Sequence, residues 1–305
     1  MATTTPVNLR SVQCIWSRSA HNAFPELIRY QNRWVCTFRE AHDHMSGDGI
    51  IRVLSSDDGH QWVEVATLTH PDGDLREVHA SVAPDGRLLF HGVVRMPDGK
   101  RFQSLVWAST DGTTWSNAAR FGPPDEYIWR VQWHKGIAYG VTYTTNPRAG
   151  AHLLRSLDGL TFERWVENLV LDSLPSEADL LFLPDDRAVC LIRRDGERNT
   201  TLLGIAAPPY QEWRFTDTGT VFHSPAMLRL DCGTLLAGGR LLEPERTALC
   251  TVDVETATLH EVLTLPSRDD CAYPALVLQK DLLWVCYYSS HEDQSNIYLA
   301  QIETD

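Results

Sequence analysis

Long hydrophobic runs are missing from this sequence, and so is any excess of positive charge. No apolar stretch approaches the ~20 residues that span a bilayer. Residues 1–16 lack the charged start and apolar centre of a secretory signal. Lys and Arg total 27 against 40 Asp and Glu, a net charge of −13. Nucleic-acid and anionic-membrane binding need clustered positive charge, so neither partner is expected. The seven cysteines include no CxxC pair, which argues against a disulfide framework and a cysteine zinc site. A Gly-rich phosphate loop and a GxSxG elbow are also absent. The expectation is a reduced, cytoplasmic protein with no cofactor. Clear amphipathic helices are lacking too, which leaves ten tryptophans without an obvious place. The apolar fraction of 43% nevertheless suits a globular core.

What is present is a repeat. The pattern S-x-D-G-x-x-aromatic occurs as Ser56-Asp58-Gly59-Trp62, Ser109-Asp111-Gly112-Trp115 and Ser156-Asp158-Gly159-Phe162. Each follows an apolar run and reads as a strand entering a tight turn, with Asp accepting turn amides and Gly supplying positive φ. A second pattern, apolar–turn–apolar, recurs at Asn32, Gly86, Gly136, Asp186, Gly233 and Leu282, in steps of 54, 50, 50, 47 and 49 residues. One four-stranded sheet per unit makes an all-β, six-bladed β-propeller. The blades are expected over about 21–67, 76–120, 125–168, 174–217, 221–264 and 268–305, forming one domain over 1–305. In the first three units the second turn glycine follows the first turn by 27, 26 and 23 residues. In the sixth it would fall past the end of the chain. The segment at residues 7–16 is therefore expected to supply the outer strand of the last blade and close the ring, covering free edges.

Equivalent repeat positions should form a ring at the channel mouth. Seven residues after the first turn stand Arg39, Val93, Tyr143, Arg193, Arg240 and Ser289. Three arginines in one ring are expected to bind a planar anion such as a carboxylate, with Arg194 and Arg246 as alternatives. The unit starts are also polar. Glu77 aligns with Glu177, accompanied by Arg76, His79 and Asp179; Tyr273 opens unit six and His21 unit one. The loop carrying His42, Asp43 and His44, even with His291 added, has spacing too loose for a metal motif, and no metal is expected. Cys36, Cys190 and Cys286 read as small buried hydrophobes.

The S-x-D-G-x-x-W boxes resemble the Asp-box, or BNR, repeats of the sialidase superfamily, over nearly the whole chain. The stretch "SEADLLFLPDDRAVCLIRR" is similar to the fourth blade of sialidases, which implies Glu177 as the catalytic glutamate and Arg193 or Arg194 as a carboxylate-binding arginine. "CAYPAL" resembles the segment that bears the nucleophilic tyrosine, which implies that role for Tyr273. The acid/base aspartate lies on the loop after the second strand of blade one, where this chain offers Asp43 and Asp48. The chain departs from the family at Ala23-Phe24-Pro25, where sialidases open blade one with Arg-Ile-Pro. The implied activity is hydrolysis of a small anionic sugar, sialic or uronic, by a Tyr/Glu pair with an arginine cluster. Two alternatives stay open. One is a lyase or inverting hydrolase using Glu40, Glu77, His79 or His223. The other is a non-catalytic propeller binding a glycan or protein.

Overall fold

The computed structural model describes residues 7–304, and every regular element among them is a β-strand. Five consecutive sets of four antiparallel strands begin at His21–Tyr30, Asp74–Val82, Glu126–His134, Pro175–Phe182 and Phe222–Arg229. The sixth set is Cys271–Gln279, Leu282–Glu292 and Gln294–Thr304, completed by Val7–Trp16. This last strand pairs antiparallel with Gln294–Thr304, from Val7 opposite Thr304 to Trp16 opposite Ile297. The first strands of successive blades touch one another around the ring, and the sixth touches the first. The fold is a six-bladed propeller closed by its N-terminal strand. Among the described residues no helix is long and apolar enough to cross a membrane.

The three S-x-D-G boxes build the turns between third and fourth strands. Ser56 Oγ accepts from Gly59 N at 2.8 Å, and Asp58 Oδ1 accepts from His60 N at 2.8 Å and Gln61 N at 2.9 Å. The other two boxes repeat these bonds. Gly59 has φ of +78°, and a Cβ there would lie 2.7 Å from the Trp284 ring of blade six. Glycine is thus required both by the backbone and by the close approach of the next blade.

The core lies between blades. Tyr30, Ile51 and Val53 of blade one pack with Leu75, Phe90 and Trp107 of blade two. Trp34 meets Trp284 of blade six across a seam at 4.7 Å, and within blade two Trp115 stacks on Phe90 at 3.9 Å. All seven cysteines are free thiols, and Cys36, Cys190 and Cys286 are buried.

One irregularity is repeated in every blade. The first strand carries two residues opposite one on its partner, at Phe24-Pro25, Arg76-Glu77, Trp129-Arg130, Ser176-Glu177, Ser224-Pro225 and Tyr273-Pro274. This is a β-bulge, which bends a strand and re-aims its side chains. Phe24, Ser224 and Tyr273 adopt positive φ of 58°, 48° and 48°. A non-glycine residue in that region costs on the order of 1–2 kcal/mol, so the surrounding packing holds these three in place.

Candidate active site

The bulges of blades four, five and six bring three groups together. Tyr273 Oη donates to Glu177 Oε1 at 2.5 Å, and Arg193 Nη1 donates to the same oxygen at 2.7 Å. The backbone N–H of Ser224 donates to Glu177 Oε2 at 2.6 Å. Burial alone would push the Glu177 carboxyl up, but Arg193, the Tyr273 hydroxyl and Arg240 outweigh it and hold the group below its ordinary range. Burial and the Glu177 charge push the Tyr273 phenol well above its ordinary value. The result is an ionised, buried carboxylate receiving a neutral phenol. Arg193 Nε also donates to Asp195 Oδ1 at 2.7 Å, which fixes the fork.

Arg76, Arg193 and Arg240 all lie close enough to the Tyr273 hydroxyl to interact with it electrostatically. The Arg76 guanidinium sits 5.1 Å over the ring of Phe24, so blade two brings a cation to the place where blade one has a plain ring. Phe24 in turn packs 4.6 Å from Tyr273 and 5.4 Å from Tyr288. Arg240 is 14% exposed, its only ion pair among the described residues is with Asp270 at 4.0 Å, and its buried Nε has no partner. A buried guanidinium with unmet donors suits an incoming anion.

Glu77 also faces this cluster. Burial raises its carboxyl above the ordinary value, against the opposing charge of Arg76, and Oε2 has no partner among the described residues. Deeper in the channel His79 Nδ1 lies 2.9 Å from Glu26, which is ion-paired to Arg130, and Arg130 Nη2 donates to Pro274 O at 2.7 Å. His79 therefore belongs to a buried network joining blades one, two, three and six. Asp179 accepts from Met227 N at 2.6 Å, and burial pushes its carboxyl up to about 6. Burial pushes the His223 imidazole down to about 4.

Of the expected ring of Arg39, Arg193 and Arg240, Arg193 and Arg240 meet at Glu177 and Tyr273, and Arg39 does not join them. Arg193 stands opposite its blade's bulge, where the other blades carry Phe38, Val93, Val141, Gly239 and Tyr287. Arg39, Arg194 and Arg240 sit one position further on, paired with Ala23, Pro175 and His223. Arg39 is fully buried and gives its donors to Asp74 at 2.9 and 3.0 Å, Asp43 O at 3.0 Å and Ser46 O at 2.8 Å. Arg194 binds Thr200 O at 2.7 Å and Asp217 at 2.5 Å. Arg246 pairs with Glu261 on the outer strands. All three serve the scaffold.

The loop aspartates are likewise turned into their own backbone. Asp43 Oδ1 accepts from Met45 N at 2.7 Å and Ser46 N at 2.6 Å, and Asp48 accepts from His42 N at 3.3 Å. Glu40 is tied to Arg52 at 2.8 Å and Trp16 at 2.9 Å. What the loop presents instead is His44, whose Nδ1 lies 2.8 Å from Asp270 Oδ2. His21 Nε2 reaches the same oxygen at 3.0 Å, and Tyr288 Oη donates to Oδ1 at 2.6 Å. Asp270 and Tyr288 were not legible as site residues. Asp270 lies ahead of the aligned strand, and Tyr288 stands one position from the residue that the repeat alignment selects.

His21, His44 and Asp270 place three ligand-type atoms within 4.8 Å of one another, a donor set that a first-row divalent ion accepts. The hydrogen bonds to Asp270 account for the cluster without an ion, and the Arg240 cation stands 4.0 Å from the other carboxylate oxygen. Cavities of about 420 and 480 Å³ elsewhere are lined by Arg155–Glu163 and by residues around Thr113–Ala118. Neither contains these side chains, so the site is identified by its chemistry.

No family model matches the sequence, and no curated protein matches it. Among solved structures it is similar to a protein of unknown function from Dyadobacter fermentans, at 21% identity over 98% of this chain and 99% of that one, with a TM-score of 0.87. It is similar to the α-L-arabinofuranosidase of Fusarium graminearum in complex with arabinobiose, at 12% identity, 98% and 97% coverage and TM-score 0.74. It is also similar to the Trypanosoma rangeli sialidase in complex with the inhibitor DANA, at 13% identity, 93% and 55% coverage and TM-score 0.70. At these identities the likeness establishes the fold, which is one that glycoside hydrolases use.

Proposed function

We propose that this propeller is an exo-acting glycoside hydrolase for acidic sugars, with Tyr273 as nucleophile and Glu177 as its base. The observation that supports this most directly is the 2.5 Å hydrogen bond from Tyr273 to a carboxylate that Arg193 keeps ionised. A substrate carboxylate beside the anomeric carbon would repel an attacking carboxylate, whereas a phenol approaches neutral. The phenol and the carboxylate are far apart in acidity, so the proton moves to Glu177 only as the new C–O bond forms. The charges of Arg193, Arg76 and Arg240 all act on the oxygen on which negative charge develops. Arg240, with its unmet donor, is the cation best free to grip the substrate's own carboxylate.

A second reading is favoured by the carboxyl of Glu77, raised while that of Glu177 is lowered. Two acids pushed in opposite directions form an acid and base pair, and the reaction would then proceed without a tyrosyl intermediate. Kinetics on a panel of sialyl and uronyl aryl glycosides tests the proposal. Tyr273→Phe and Glu177→Gln should each lower kcat by at least ~100-fold. Unchanged turnover in both variants would sink these roles. Loss in Glu177→Gln with full activity in Tyr273→Phe would favour the two-carboxylate reading.

A further inference from the structure

The reaction proposed above needs a proton donor for the leaving group, and both loop aspartates are engaged by the backbone of their own loop. We propose that His44, oriented by Asp270, delivers that proton, an assignment that rests on the glycosidase reading.

The geometry has three parts. First, Asp270 Oδ2 engages Nδ1 of His44 at 2.8 Å, which keeps Nδ1–H on Asp270, so the acid of the proposed step is the imidazolium, whose second proton is on Nε2. The side chain is 40% exposed, so a substrate can reach it. Second, the carboxylate itself is held. Tyr288 Oη donates to its other oxygen at 2.6 Å, and His21 Nε2 lies 3.0 Å from Oδ2. Burial would raise this carboxyl, but the bonds to His21 and His44 overcome it and hold Asp270 far below its ordinary range. Third, the His44 ring stands edge-on to Phe24 at 5.2 Å, and Tyr273 packs on the same ring at 4.6 Å. Arg76 Nη1 anchors the loop through His44 O at 2.8 Å. Charged and titratable groups facing His44 are Asp270, His21, Arg76 and Glu77.

The steps balance. As Tyr273 Oη bonds to the anomeric carbon, its proton passes to Glu177, and the bond to the leaving oxygen breaks with the proton from His44 Nε2. Water then gives a proton to neutral His44 and bonds to the anomeric carbon. The tyrosyl C–O bond breaks, and Glu177 returns its proton to Tyr273. The net reaction is glycoside plus water to sugar plus alcohol. Asp270 is a positioning residue in this scheme.

The test compares leaving groups. The substrates are the methyl and 4-nitrophenyl glycosides of N-acetylneuraminic acid and of a hexuronic acid. A nitrophenolate departs without protonation, whereas methoxide does not. His44→Ala should lower kcat/KM on the methyl glycoside by ~100-fold or more and on the nitrophenyl glycoside by less than ~10-fold. Asp270→Asn should show the same pattern more weakly, and Tyr273→Phe should fail on both substrates. Equal losses on the two leaving groups in His44→Ala would overturn the role of His44 alone. A leaving-group-selective loss in Glu77→Gln instead would assign the acid to Glu77. Turnover abolished by EDTA and restored by zinc would reassign the cluster to a metal. Absence of turnover in the unaltered protein would remove the glycosidase reading and this role together.

Discussion

Replacing Arg240 with methionine isolates the substrate's carboxylate from the rest of the sugar. The guanidinium is 14% exposed, its Nε has no partner, and its only ion pair among the described residues spans 4.0 Å. So weak a pair gives the folded protein little stability, and Asp270 keeps Tyr288, His21 and His44. With an acidic sugar bound, Arg240 would become half of a desolvated, charge-assisted pair. Truncating such a partner costs about 2–5 kcal/mol, which at ~1.4 kcal/mol per decade is roughly 30- to 4000-fold in kcat/KM. The assay is a cycle of two enzymes and two substrates: wild type and Arg240→Met, each on an acidic glycoside and on its carboxamide. The wild type should prefer the acid, and the variant should lose rate on the acid by the factor above in addition to any loss on the amide. Equal losses on acid and amide, or no loss, would refute the assignment of Arg240 to the carboxylate.

Asp179 makes stability depend on pH. Its carboxyl is raised from 3.8 to about 6, so its contribution is complete below pH ~4 and is lost as pH rises through 6, worth ~3 kcal/mol. Urea unfolding between pH 4 and 7 should show this fall, and Asp179→Asn should flatten it. Arg39→Met removes the main partner of the fully buried Asp74 and should cost about 3–5 kcal/mol in unfolding experiments. Its preference for acidic over neutral substrates should survive, because Arg39 serves the scaffold. Deleting residues 1–16 bares the edge of Gln294–Thr304 and should cause concentration-dependent association, seen by sedimentation.

The fold was legible because a propeller repeats. Six turns near fifty residues apart set the blade count, and the missing sixth outer strand pointed to residues 7–16, which pair with Gln294–Thr304. Glu177 and Tyr273 were legible because each lies at a blade start in a segment that resembles a sialidase blade, and a hydrogen bond joins them. The arginine ring was legible only in part. Blade four has five paired rows between its turn and its bulge and blade five has four, so the same count from the turn reaches Arg193 opposite the bulge but Arg240 one position past it. Arg76 crosses from blade two over Phe24, a substitution between blades that no single repeat reveals. Asp43 and Asp48 share a loop with His44, and only the hydrogen bonds show which of the three reaches the mouth.

The central claim is that Tyr273 attacks the sugar. The protein should be incubated with 2,3-difluorosialic acid and with a matching fluorinated uronyl reagent, then digested and analysed by mass spectrometry. The account predicts a glycosyl adduct on the peptide that contains Tyr273, absent in Tyr273→Phe. An adduct on Glu177 or Glu77, or turnover of these sugars with no adduct on Tyr273, would contradict it.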